Sequence, residues 1–174
     1  MQKNILYLLT ICFLLTACAS SSLPVGAELP TKRFDISWSG EDWHEAYSNR
    51  TEMMEIREFV RRGDKIEEWK ELITEQSIIA KLPNAMAAVE ALNQGLNRKF
   101  KTFDSNIISE SEREVIYEWW QSDEGGYGPE HVISLVLWRT QYSITTITYA
   151  KKGPKMSEAE IKHWVSRFKN LKYQ

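Results

Sequence analysis

The sequence predicts an α+β domain in which helices pack on an antiparallel sheet. Two segments, 84–100 and the one after Ser157, space their apolar residues as helices do, while several other runs alternate apolar and polar residues as strands do. Two β-rich runs, 131–140 and 142–151, are separated by one residue, which leaves room only for a tight hairpin. Too few helices lie between the strands to act as crossovers of a parallel sheet, so an antiparallel sheet is expected.

The segment from residue 34 to residue 62 is expected to open the domain. Residues 34–47 place aromatic side chains among serine, glycine and aspartate, a pattern typical of an extended entry followed by a turn. Residues 53–62 alternate apolar and charged side chains, which predicts a strand that ends at Gly63.

The next segment has an ambiguous pattern. Asp64 followed by Glu67 has the spacing of a helix start, in which the aspartate accepts backbone N–H bonds and the glutamate reaches back. Periodicity alone allows this helix to continue to Gln76 or to give way to a strand at residues 72–79. We expect a short helix followed by that strand.

The helix predicted at residues 84–100 rests on one apolar stripe. The stripe consists of Met86, Val89, Leu92, Leu96 and Phe100. A strand at residues 114–122 follows, and a loop of glycine and acidic residues then leads into the predicted hairpin. The last helix begins at a capping box formed by Ser157 and Glu160.

The N-terminal segment resembles the signal of bacterial lipoproteins. It has a charged start at Lys3, an apolar run too short to span a bilayer, and small residues before a cysteine. Leu15-Thr16-Ala17-Cys18 resembles the lipobox, in which the cysteine is acylated and becomes the new N-terminus. The resemblance implies a lipoprotein signal peptide at residues 1–17 and a palmitate-type membrane anchor at Cys18.

The residue after the cysteine bears on the membrane that holds the anchor. In the enteric-type lipoproteins that this segment resembles, an aspartate there retains the protein at the inner membrane. Ala19 occupies that position, so in a Gram-negative host we expect the periplasmic face of the outer membrane. Residues 18–33 are expected to be the acylated N-terminus and a flexible tether, and residues 34–174 a single domain.

Composition excludes several partners and chemistries. The chain contains 22 lysine and arginine residues against 24 aspartate and glutamate residues, so it lacks the basic character that nucleic-acid binding requires. Cys12 would leave with the signal and Cys18 would be acylated, which leaves no free thiol for a nucleophile, a disulfide or a thiolate metal site. No cofactor is expected.

Four aromatic residues are candidates for contact with a ligand. Trp119 and Trp120 are neighbours on a predicted strand, so their rings point to opposite faces, and both are buried only if both faces are covered. A pocket between the sheet and the helices would be lined by one of these rings with Trp138 and Tyr149. Filling of the core is the alternative role for such rings.

The loop from Asp123 to His131 is the densest set of polar groups that are free to converge. A metal accepts carboxylate and imidazole ligands, but the spacing matches neither an EF-hand nor a zinc pair. The three glycines suit backbone turns better than phosphate binding, because no helix follows to present its N-terminus to a phosphate. A connecting hairpin loop is therefore the favoured interpretation. Since no catalytic set of serine, histidine and acid is recognisable elsewhere, no catalytic or metal-binding residue is assigned.

Much of the folded part resembles small exported bacterial proteins, some of which share the PsbP-like α+β fold. The resemblance covers most of residues 53–171. Its marks are Trp69, Tyr117-Glu118-Trp119, Tyr149, Lys151 and Trp164. It implies a fold and no reaction.

Together these observations predict a lipid-anchored, non-enzymatic protein of the outer membrane. Its periplasmic domain would serve interaction or binding, with the membrane and an envelope protein as partners. A carrier of a small lipid or glycan, with the pocket described above, is the first alternative. An enzyme that uses the loop from Asp123 to His131 is the second.

Overall fold

The computed structural model describes residues 26–36, 42–100, 103–122 and 128–172. These residues form a seven-stranded antiparallel sheet with a helix packed on each face. In chain order the elements are β1 (Trp43–Arg50), β2 (Met54–Arg61), β3 (Glu71–Ile79), α1 (Ala85–Lys99), β4 (Asp104–Glu110), β5 (Glu114–Gln121), β6 (Glu130–Thr140), β7 (Ser143–Lys152) and α2 (Glu158–Lys169). The predicted α+β class, with helices on an antiparallel sheet, is confirmed.

The sheet is built from two meanders. The strand order is β1-β2-β3-β7-β6-β5-β4, so the meander β1–β3 meets the meander β4–β7 where β3 pairs with β7. Helix α1 carries the chain from β3, in the middle of the sheet, to the edge strand β4. The hairpin of β6 and β7 turns at Gln141 and Tyr142, which confirms the predicted tight connection.

Both faces of the sheet are covered by apolar side chains. On one face, called the α1 face below, Val89 and Leu96 of α1 pack towards strands β5 and β6. On the other, the α2 face, Trp164 and Phe168 of α2 belong to a second core cluster. Burial of a large apolar side chain contributes about 1.5–3 kcal/mol, so the two layers together hold the central strands in place.

The prediction of a short helix that starts at Asp64 is wrong. Residues 62–70 form turns and irregular backbone that connect β2 directly to β3, whereas the strand predicted after the helix is confirmed as β3. The two strands pair as an antiparallel hairpin, and a connection of this length closes most simply through turns. Trp69 folds from the turn onto the α1 face, where the Lys152 ammonium lies 4.0 Å from its ring centroid.

The edge strands β1 and β4 differ from the sequence prediction. Strand β1 occupies residues for which an extended entry and a turn are predicted, and β4 lies where the pattern predicts no element. Most of their side chains are exposed or only partly buried. An edge strand with one open side therefore lacks the clear apolar alternation on which a strand prediction depends.

Buried residues begin before residue 34, the predicted start of the domain. Ala27 and Leu29 are already buried, and Phe34 lies in the core of the α2 face. The Phe34 backbone N–H also donates a hydrogen bond to the Glu75 carboxylate at 3.0 Å. Contact with the domain thus begins inside residues 18–33, the stretch expected to be the tether.

The capping box at the start of α2 yields a testable prediction. The Glu160 carboxylate accepts from the Ser157 N–H at 2.8 Å, and the Ser157 hydroxyl accepts from the Glu160 N–H at 3.3 Å. Ser157→Ala is expected to lower the free energy of unfolding by about 1 kcal/mol, measured by urea denaturation. Ser166→Ala, on the exposed side of the same helix, is the control and should change it by less than about 0.5 kcal/mol.

Candidate ligand-binding site

A row of polar side chains crosses the α1 face beneath an otherwise apolar layer. Strand register brings these residues opposite one another across five neighbouring strands. The polar row consists of Glu58 (β2), Thr74 (β3), Thr148 (β7), Ser134 (β6) and Tyr117 (β5). The neighbouring row on one side is wholly apolar. Buried polar groups in such a layer need hydrogen-bond partners, water or a ligand.

A cavity of about 50 Å³ lies between the polar row and α1. Leu92 of α1 and the side chains of Trp119, Val132 and Ala150 form its apolar walls. The polar walls are Thr74, Gln76, Tyr117, Glu130, Ser134, Thr146 and Thr148. A water molecule takes about 30 Å³ in the liquid, so the cavity has room for about one or two water-sized groups.

Part of the polar row is satisfied internally. The hydroxyls of Ser134 and Thr148 are 3.0 Å apart, and Ser134 also forms a hydrogen bond with the Tyr117 hydroxyl. Burial raises the pKa of Tyr117, so the phenol stays protonated. By contrast, the Thr74 hydroxyl, in a residue only 4% exposed, has no hydrogen-bond partner within the described part of the chain. One buried polar group that faces the cavity therefore has no hydrogen-bond partner among the described residues.

Glu58 lies directly opposite Thr74 in the register, but it is not one of the residues that line the cavity. The residue is 6% exposed, and its carboxyl group has neither a hydrogen bond nor an ion pair within the described ranges. Burial without a compensating charge raises its pKa to about 7. At neutral pH this carboxyl group is thus divided between its neutral and ionised forms.

The buried carboxylates on the α2 face are in a different situation. Glu55 forms ion pairs with Arg33 and Arg50, and Glu75 accepts from Arg57 Nη1 at 2.8 Å. Burial still raises the pKa of Glu75, but the arginine and the Phe34 N–H oppose that shift. Negative charge on the α2 face is therefore balanced, whereas that of Glu58 on the α1 face is not.

A further carboxyl group, Glu130, lies in the cavity wall near two cations. Burial raises the pKa of Glu130, and the charges of Lys99 and Lys152 oppose that shift. Burial likewise lowers the pKa of both lysines. The carboxyl group in the cavity wall, that of Glu130, therefore has cations beside it.

The structure places the four candidate aromatic residues in three different environments. Trp119 lines the cavity, with its ring centroid 6.0 Å from that of Phe100. Trp138 is partly buried on the same face, and its indole N–H donates to the Leu82 carbonyl at 2.9 Å. Trp138 does not line the cavity, which sets it apart from Trp119.

The other two candidates lie on the α2 face. Tyr149 stacks on Trp164 with ring centroids 3.7 Å apart, and its hydroxyl donates to Glu71 at 2.9 Å. Trp120 is partly buried with its ring edge towards His131, at 6.0 Å between centroids. The sheet separates both residues from the cavity, so the four aromatic rings do not line one pocket.

His131, the end of the loop considered for catalysis, is a buried structural residue. Its Nδ1 accepts from the Met156 backbone N–H at 2.8 Å, which places the ring proton on Nε2. Nε2 lies 3.0 Å from the Glu118 carboxylate and donates to it. Desolvation lowers the pKa of His131, and the bond to Glu118 opposes that shift. Both ring nitrogens are thus engaged, while residues 123–127 of the loop lie outside the described ranges.

Sequence reasoning missed Glu58, Thr74, Ser134 and Thr148. For Thr74 and Thr148 the available signal was the series of polar residues at alternate positions in two central strands, ELITEQSII and SITTITYAKK. In an antiparallel sheet with one open face, such positions would point to solvent. Because both faces are covered here, they line an interior cavity.

Comparisons of the chain with protein-family models, curated proteins and solved structures found no match. Within the described ranges, no helix has the length and apolar character needed to cross a membrane. Those ranges also hold no group of three or more acidic, histidine or cysteine side chains suited to a metal ion. Cys18 lies outside the described residues.

Proposed function

We propose that the protein is a lipid-anchored, non-enzymatic binding protein of the bacterial outer membrane. Its periplasmic domain binds a small ligand in the cavity between the sheet and α1. The observation that carries the proposal is the buried Thr74 hydroxyl, which faces this cavity without a partner in the described part of the chain. A buried hydroxyl of this kind costs about 1–3 kcal/mol unless water or a ligand satisfies it.

The size of the cavity restricts the ligand. Sites for drug-sized molecules usually have about 300–1,000 Å³, several times the about 50 Å³ present here. The structure as it stands therefore favours a compact ligand over a whole lipid or glycan. A larger molecule would require α1 to move away from β5 and β6.

The non-enzymatic part of the proposal is supported by the state of His131. Both nitrogens of this buried ring are engaged, so the imidazole is not free to exchange a proton with a substrate. We also propose that the fold is PsbP-like, as the sequence resemblance implies. An antiparallel sheet with a helix on each face is compatible with that proposal.

Native mass spectrometry of the protein purified from its own envelope tests the binding function. The wild type is expected to retain a small adduct that Ala150→Leu, which fills the cavity from β7, does not retain. Ala159→Leu adds the same side chain at an exposed position of α2 and should keep the adduct. Circular dichroism establishes that both variants fold, and an adduct of equal occupancy in all three proteins would contradict the proposed site.

Metabolic labelling tests the anchor separately. Labelled palmitate is expected to enter the wild-type chain and to be absent from Cys18→Ser, because the thiol is the acylation site. Globomycin, which blocks the lipoprotein signal peptidase, should cause the precursor to accumulate. Equal labelling of the two chains, or the absence of a precursor, would overturn the anchor.

A further inference from the structure

We infer that the edge strand β4 docks an extended segment of a partner protein, which joins the sheet as an eighth strand and carries a basic residue at each end. This surface is separate from the cavity under α1, so the inference goes beyond the proposed function. It depends on three features: the open edge of β4, the groove between β4 and α2, and the charge of β4.

The first feature is the open edge. Strand β4 is the last of the sheet and pairs with β5 alone. In an antiparallel strand the N–H and C=O groups of alternate residues point away from the paired neighbour. Within the described ranges, no backbone hydrogen bond reaches residues 104–110 from that outer side. Such an edge is a template for a further strand, and its backbone groups supply the affinity.

The residues of β4 leave this edge accessible. Residues 105–109 contain no charged residue and no proline, two features that commonly protect an exposed edge. Ile107 is 38% exposed, more than any other large apolar side chain of the described residues. A β-bulge between Ile107 and Ser109 bends the strand without ending it, since pairing with β5 continues at Ser109 and Glu110.

The second feature is a groove of about 640 Å³ that borders β4 on the α2 face. Ile107 and Ile108 of β4 and Ile161 and Val165 of α2 form its apolar part. An added strand would lie about 4.8 Å outside β4, with alternate side chains directed to the α2 face. Apolar side chains at those positions would lie beside the groove and cover its carbon surface. The partner segment is therefore expected to alternate apolar and polar residues.

The third feature is the charge of β4, which has Asp104 and Glu110 at its ends and no basic residue. The Lys155 ammonium is 3.8 Å from Asp104, but this pair is solvent-exposed and contributes little. Opposite charges on neighbouring strands stabilise pairing by about 0.2–1 kcal/mol, and like charges oppose it. A second copy of β4, paired antiparallel, would bring Asp104 of each copy near Glu110 of the other. Basic ends on a partner segment instead complement both acidic ends.

Fluorescence polarisation with a labelled peptide, Lys-Val-Thr-Val-Thr-Val-Lys, tests the inference on the mature lipidated chain in nanodiscs. At low ionic strength this peptide is expected to bind at least fivefold more tightly than its counterpart with glutamate at both ends. Ile107→Lys, which places a charge in the middle of the edge, should weaken binding at least tenfold. Asn49→Lys adds the same charge at an exposed position of the other edge strand, β1, and should leave the affinity unchanged. Circular dichroism establishes that both variants fold.

Two N-methylated forms of the peptide separate strand addition from binding of side chains alone. One form is methylated at odd positions and the other at even positions. Because alternate N–H groups of an added strand face β4, one form should keep its affinity and the other should lose at least tenfold.

Three results would overturn the inference: equal affinity of the two methylated forms, unchanged binding to Ile107→Lys, or equal affinity of the lysine and glutamate peptides. Analytical ultracentrifugation of the protein alone tests the other occupant. A wild-type dimer that Ile107→Lys converts to a monomer would assign the edge to a second copy and also overturn the inference. None of these measurements depends on the cavity under α1.

Discussion

Replacing Trp164 with alanine is expected to lower the free energy of unfolding by about 3–5 kcal/mol, the range typical of large aromatic residues removed from a core. Trp164 is 4% exposed and stacks on Tyr149 with ring centroids 3.7 Å apart. It also makes an edge contact with Trp43 at 6.2 Å and a tilted contact with Phe168 at 6.1 Å. The loss combines apolar burial with these ring contacts, because alanine leaves a cavity that rigid neighbours cannot close.

The effect is expected to reach beyond α2. Trp43 lies in the edge strand β1 and Tyr149 in the central strand β7, so Trp164 joins the helix to distant parts of the sheet. Urea denaturation followed by circular dichroism measures the loss. Lys162→Ala, at an exposed position of the same helix, is the control and should change stability by less than about 0.5 kcal/mol. A loss below about 1 kcal/mol for Trp164→Ala would show that the ring cluster does not hold α2 on the sheet.

Much of the fold could be predicted because its central elements carry strong local signals. The apolar stripe of α1, the capping box of α2 and the alternating or continuous β-rich runs of β2, β5, β6 and β7 each specify an element on their own. The interval after Asp64 could not be assigned in the same way. Its helix-like spacing is real, but pairing of β2 with β3 across the turn outweighs a weak local preference.

The candidate site was harder to predict than the fold, because it depends on register. The sequence shows polar residues within several strands, but not that Glu58, Thr74 and Thr148 stand in one line across the sheet. Pairing between strands far apart in the chain creates that line. The prominent aromatic residues were the visible signal, and of these only Trp119 lines the cavity.

Replacing Glu58 with glutamine is expected to stabilise the protein at pH 8 by about 3 kcal/mol. The pKa of Glu58 is raised to about 7 by burial, from an ordinary value of 4.5 for an exposed glutamate. Each unit of pKa difference corresponds to about 1.4 kcal/mol between the folded and unfolded states, which gives the expected size. Glutamine has nearly the same shape and no charge, so the variant avoids the cost of burying an ion.

The sign of the pH dependence follows from proton binding. Between pH 4.5 and 7 the folded protein retains the Glu58 proton while the unfolded chain releases it, so the contribution of this group falls as pH rises. Below about pH 4.5 the group is protonated in both states, and the two proteins should differ by less than about 0.5 kcal/mol. The advantage of Glu58→Gln is therefore expected to grow through this window and to level off above pH 7.

Urea denaturation of both proteins from pH 4.5 to pH 8, in a phosphate buffer free of amines, measures the difference. Other carboxyl groups titrate in both proteins, so their contributions cancel and Glu58 is isolated. Glu90→Gln, which removes an exposed charge from α1, should differ from the wild type by less than about 0.5 kcal/mol at every pH. A constant offset between Glu58→Gln and the wild type would mean that the pKa of Glu58 is the same in the folded and unfolded states, which would contradict the effect of burial.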